Sequence, residues 1–263
     1  LFMKTFYSCV PVLLYLWLTA ACVSYGPGIS GNEYPFVPVP ALDTVAHTST
    51  TAFVAGGLPQ TYAFNDRNYL VGAGMMQTKT LPTPFPHQSN GWSFVYGGMA
   101  YTGRYALKDP PDFVREIARN DSVFQYNGGM VYAAARWHIW SDSKHTFLLE
   151  PSISVYMEQG DYFVFRSRFN RDQFLRNTSP VTATLMFSQI LQYKINQDWS
   201  LTGIFTTALP ADLFLLRYNF SGTAGVSYKR SSFWLQPSVH INPGSLLGLT
   251  DLSIRGGISY HIF

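Results

Sequence analysis

His87-Gln88-Ser89-Asn90 sets an imidazole and a hydroxyl two positions apart. Residues i and i+2 share one face of a strand. His87 could then take the Ser89 proton as general base and leave Ser89 as the nucleophile of an acyl transfer. The competing reading is a polar outer loop with a chance His-x-Ser, because Pro82, Pro84 and Pro86 interrupt the strand that would carry the pair. The other candidates are dispersed. His47, His138, His145, His240 and His261 lack metal-ligand spacing, so neither a metal nor a cofactor is expected. Arg136 and Glu150 fall opposite each other on the polar face of neighbouring strands, where charges pair, and they read as glue inside the fold.

The elements that must position these residues are strands. Leu252, Ile254, Gly256, Ile258, Tyr260 and Ile262 alternate with Ser253, Arg255, Gly257, Ser259 and His261. The same two-residue period runs through 126–140, 147–158, 181–195, 199–209, 215–229 and 232–241. Candidates upstream are 46–56, 58–64, 69–77 and 91–105, three of which make ten strands in all, within a range of 8–12. The segment 106–121 reads as an outer loop with a helical turn. Gly-Gly pairs at 56–57, 97–98, 128–129 and 256–257 fit close strand packing.

A soluble β-sandwich alternates too, and three features favour a membrane barrel. Short turns such as 141–144, 196–198 and 230–231 alternate with longer connections at 159–180, 210–214 and 242–251. Aromatics flank the short turns: Trp140 with Phe147, Tyr193 with Trp199, Tyr228 with Phe233, and Phe64 with Tyr69 around Asn65-Asp66-Arg67. The chain also closes on Phe263, which resembles the terminal signal of barrel assembly although it is out of phase with Ile262. Composition agrees: 47% apolar but only 13% charged, with 16% aromatic, against about 25% charged in soluble proteins. A net charge of +3 is too small to imply nucleic acid.

The N-terminal stretch has the order of an export signal: Met3-Lys4, the apolar run Val10–Leu18, then Thr19-Ala20-Ala21-Cys22. That run is shorter than the roughly 20 residues of a spanning helix. The expected division is a signal peptide over 1–21, a periplasmic leader over 22–45 and a transmembrane barrel over 46–263. The mature chain begins at Cys22, either lipidated there or cut by an ordinary signal peptidase. With Cys9 removed, Cys22 has no disulfide partner.

Two resemblances add to this. Cys22-Val23-Ser24-Tyr25-Gly26-Pro27, Asn32-Glu33-Tyr34-Pro35-Phe36, 62–72 and Asn127–Tyr132 resemble outer-membrane β-barrel lipoproteins of uncharacterised function, which implies an acylated Cys22. The His-x-Ser-Asn segment resembles that of outer-membrane phospholipase A and the lipid A deacylases. It implies His87 as base and Ser89 as nucleophile, although Tyr101 stands where those enzymes orient the histidine with an acid or amide.

The expectation is therefore an all-β, antiparallel, up-and-down transmembrane barrel in a bacterial outer membrane. Its role is structural, interactive or concerned with a small solute, without evident catalysis; the alternative is an acyl hydrolase. Its partners are outer-membrane lipids, the barrel-assembly machinery during biogenesis and a protein of an outer-membrane complex.

Overall fold

Alternating sequences of this kind leave two different faces and unpaired edges, and closing the sheet on itself resolves both. The computed structural model describes residues 36–39, 45–59, 66–82, 91–110, 112–119, 121–168, 179–210, 218–241 and 249–262. The elements are β1 (His47–Leu58), β2 (Arg67–Thr80), β3 (Gly91–Ala106), α1 (Asp112–Ile117), β4 (Val123–Ser141), β5 (His145–Gln159) and α2 (Asp161–Ser167), then β6 (Val181–Lys194), β7 (Trp199–Pro210), β8 (Tyr218–Tyr228), β9 (Ser231–Ile241) and β10 (Leu249–His261). Every strand pairs antiparallel with its neighbours in sequence, and β1 meets β10 from Thr51 opposite His261 to Leu58 opposite Ile254. The chain is an all-β, closed, ten-strand antiparallel barrel.

The faces sort as the alternation requires. Val71, Val131, Leu185, Phe205, Leu235 and Ile258 point outward and are exposed. Ser93, Thr184, Ser221, Gln236 and Ser253 point inward and are buried. Even the shortest strands, β8 and β9, have 11 residues each, enough for the roughly 9–11 that a tilted strand needs to cross a bilayer. An apolar wall around a polar interior is the architecture of a bacterial outer-membrane barrel.

The two ends differ. The start of β1, the end of β10 and the tight β4–β5, β6–β7 and β8–β9 turns lie at one end, here the short-turn end. Its outer rim carries aromatic pairs: Trp92 stacks on Trp137 with ring centroids 5.9 Å apart, and Trp199 lies 4.6 Å from Tyr228. In the β4–β5 turn, Asp142 accepts the backbone N–H groups of His145 and Lys144, which hold its carboxyl below the usual carboxylate range.

Two expectations need correction. Tyr69 belongs to the opposite end, because the 58–67 connection joins β1 to β2 there; Leu58 closes β1 and does not open a separate strand. Conversely, the β2–β3 connection that contains His87 and Ser89 leaves Thr80 and returns at Gly91 at the short-turn end, so it is not an outer loop if the short turns face the periplasm.

One packing detail makes a prediction. Gly128 faces inward directly opposite Tyr101, whose hydroxyl donates to the Met157 carbonyl at 2.8 Å. A Cβ on Gly128 would overlap that carbonyl oxygen and crowd the Tyr101 ring. Gly128→Ala is expected to cost about 1–3 kcal/mol through overpacking, read as a lowered urea midpoint in lipid vesicles. The neighbouring Gly129→Ala, whose Cβ would meet only the Met99 carbonyl at 3.6 Å, should stay within about 0.5 kcal/mol of wild type. Equal losses at the two positions would refute the account.

Candidate functional site

The lumen is divided lengthwise. Along β2–β5 it is filled by Met76, Met99, Tyr101, Tyr126, Tyr132 and Tyr156, all buried. Along β7–β9 it is lined by small polar groups. There the hydroxyls of Thr202 and Thr223, Asn219 Oδ1, Trp234 Nε1 and Gln236 Oε1 are buried without a protein hydrogen-bond partner. Buried polar atoms are normally satisfied, by water where protein does not serve. Ile204, Ala208 and Trp234 are buried among these small polar groups, and Thr80, Ser152 and Ser154 on β2 and β5 carry unpartnered hydroxyls as well, so the two halves differ mainly in side-chain size.

The chain itself enters the lumen at the short-turn end. Residues 36–39 precede β1 and have no regular structure, yet Phe36 and Val37 are 0% and 2% exposed. The Phe36 ring occupies the space above Gly225 on β8, where a Cβ would overlap it. Burying an aromatic or aliphatic side chain of this size is worth about 1.5–3 kcal/mol.

Arg136 fastens the segment. Its Nη1 donates to the Pro38 carbonyl at 3.2 Å and its Nη2 to the Val37 carbonyl at 3.3 Å. Its Nε donates to Glu150 Oε2. Glu150 Oε1 accepts the Tyr132 hydroxyl at 2.7 Å. Both charged side chains are fully buried. The planar fork of an arginine can serve one carboxylate and two carbonyls together, which a lysine ammonium cannot do in the same geometry. The structure brings the sequence-derived pair together and adds what the sequence did not disclose: Arg136 of the pair also holds the Val37 and Pro38 carbonyls ahead of β1.

The opposite end is narrowed in the same manner. Gly160, with φ +113°, turns the chain out of β5 so that α2 folds back against β4 and β5. Tyr162 stacks on Tyr105 at 4.3 Å and Phe165 on Phe124 at 4.4 Å. Arg166 Nη2 donates to Glu158 Oε1 at 2.6 Å in a second buried ion pair. Beside them, burial pushes the Asp66 carboxyl above its ordinary range, against the lowering effect of the Lys108 N–H and the Tyr105 hydroxyl.

The remaining sequence candidates separate from this site. His87, Ser89 and Cys22 lie outside the described residues. Tyr101, at the orienting position of the hydrolase pattern, is engaged with the Met157 carbonyl. Among the described residues, no group of His, Cys, Asp and Glu side chains could hold a metal ion.

No family model and no curated protein matches this chain. Its fold is similar to solved barrels. The β domain of the Bordetella autotransporter BrkA matches at 11% identity and TM-score 0.44, over 82% of this chain and 99% of that one. The transport unit of the autotransporter AIDA-I from Escherichia coli matches at 9% and 0.44, over 96% and 97%. The translocator domain of the autotransporter NalP from Neisseria meningitidis matches at 8% and 0.40, over 82% and 88%. None of these carries an activity over to this chain; the ten-strand ring stands on the chain's own strand register.

Proposed function

We propose that the protein is an outer-membrane barrel whose polar half-lumen is a conduit for a small hydrophilic solute, held shut by its own leader. One observation carries this reading: Phe36 and Val37 are buried, the Phe36 ring lies against Gly225, and Arg136 holds the Val37 and Pro38 carbonyls, in a lumen whose β7–β9 side carries mostly small polar side chains. An open porin has no need of a buried apolar segment across it.

Acylation of Cys22 is compatible with this arrangement. The stretch from Cys22 to Phe36 can extend about 45 Å, enough to pass from the lumen mouth back to the inner leaflet. Mass spectrometry of the mature N-terminus tests it, and an unmodified Cys22 would remove the anchor from the proposal.

Planar-bilayer recording tests the conduit. The refolded wild type is expected to shift on gels between unboiled and boiled samples, as a barrel does, and to pass no steady current at low voltage. A constantly open pore would overturn the closed state. The second reading, hydrolysis by His87 and Ser89, has its own assay: phospholipid and lipid A turnover by wild type and Ser89→Ala. Turnover that Ser89→Ala abolishes would establish it in place of the conduit; no wild-type turnover discards it.

A further inference from the structure

At the short-turn end the lumen widens below the leader into a cavity of about 850 Å3, with Pro38 and Val39 in its lining. That lies within the roughly 300–1,000 Å3 of pockets that hold small molecules. The charges around it are unbalanced. Lys144, Lys194 and Arg230 line it together with the imidazoles of His47 and His261; the Lys229 ammonium, at its edge, lies over the outward-facing Tyr228 ring, 5.2 Å from the centroid; and Asp198 is the one carboxylate among the described lining residues. The other acid in these turns, Asp142, is taken up by His145 and by the N–H groups of its own turn.

Three cations gathered around one concavity, with Lys229 at its edge, repel each other, and this arrangement is unfavourable without an anion to share. Low-dielectric walls then focus the field into the cavity. The cavity also reaches inside the barrel, because Ser227 and Ser232 line it from inward-facing positions of β8 and β9 and are buried. Lipid phosphates flank a barrel from outside, whereas this lining offers its hydroxyls within.

We propose that this vestibule binds a small, multiply charged oxyanion carrying phosphate or carboxylate groups, arriving from the side of the short turns. The site goes beyond the conduit reading and exists whether or not the lumen ever opens, so it is tested by binding and not by current.

The experiment is calorimetric titration of the refolded full chain at low salt, with tripolyphosphate and with citrate as the two probes. Wild type is expected to bind one or both, and affinity should fall as salt rises. The variant K194Q/K229Q/R230Q, which changes only rim residues and should keep its heat-modifiable gel shift, is expected to bind about tenfold or more weakly. Which probe binds more tightly assigns the ligand to phosphate or carboxylate chemistry. A third arm repeats the titration in nanodiscs of phosphatidylglycerol and of phosphatidylcholine. If phosphatidylglycerol alone abolishes binding, the vestibule belongs to a lipid headgroup and the soluble ligand is overturned. No binding of either probe by wild type, or binding unchanged in the variant, overturns the site itself.

Discussion

Phe36→Ala is expected to turn a silent barrel into a conducting one. The substitution removes the ring from the space above Gly225 and leaves the barrel wall untouched. Truncating a buried phenylalanine costs about 3–5 kcal/mol, here charged against leader docking and not against the strands. A loss of that size lowers the docked population by a factor of roughly 100 or more, while the Arg136 hydrogen bonds to the Pro38 and Val37 carbonyls remain available in principle. Two measurements check it together: current steps in planar bilayers, and protease cleavage of the leader added from the short-turn side. Cleavage without current would mean that the leader leaves and the lumen stays closed, which would sink the conduit. Current without cleavage would mean that the path does not pass the leader.

The largest loss of stability should follow Glu150→Ala. The substitution leaves Arg136 fully buried without its carboxylate and removes the Glu150 oxygen to which the Tyr132 hydroxyl donates. Breaking one partner of such a pair costs about 3–5 kcal/mol, seen as a lower urea midpoint and a lower temperature for loss of the compact gel band. The double variant R136M/E150L should recover much of the loss, since a buried pair can often be replaced by apolar side chains of similar size. It should not recover the leader, whose carbonyls at Val37 and Pro38 then lack their donor. A single variant as stable as the double would show that the pair is hydrated and not buried as described.

What the sequence disclosed and what it hid divide along physical lines. Strands such as 199–209 were legible because lipid on one side and lumen on the other force a strict period of two. The Arg136–Glu150 contact was legible from the opposite charges on the polar faces of neighbouring strands, but not from the turn alone: a bulge between His138 and Trp140 shifts the register by one residue before the pair is reached. Tyr69 was misplaced because an aromatic just after Asn65-Asp66-Arg67 looks like those that flank the short turns, and the local sequence gives no sign of which end of the barrel it occupies. The α2 segment, Asp161–Ser167, is too short for a helical period to declare itself. The leader was out of reach for another reason. Four residues without a period meet partners at Arg136 and Gly225, far along the chain, and an arginine in a polar lumen gives no sign of which carbonyls it will hold.

The leader is joined covalently to β1 through the short connection 40–46 and enters the lumen at the end where β1 begins. It is therefore a tethered ligand, and a short tether keeps such a ligand at an effective concentration of roughly millimolar or above. A free molecule competing for the Gly225 site would have to exceed that concentration merely to match it. Opening by simple competition is consequently the least efficient route, and loosening the grip of Arg136 or drawing on the chain ahead of Phe36 is the most direct. The same tether means that a leader once released is never lost: the barrel recloses at a rate set by the connection, independent of how many copies the membrane holds.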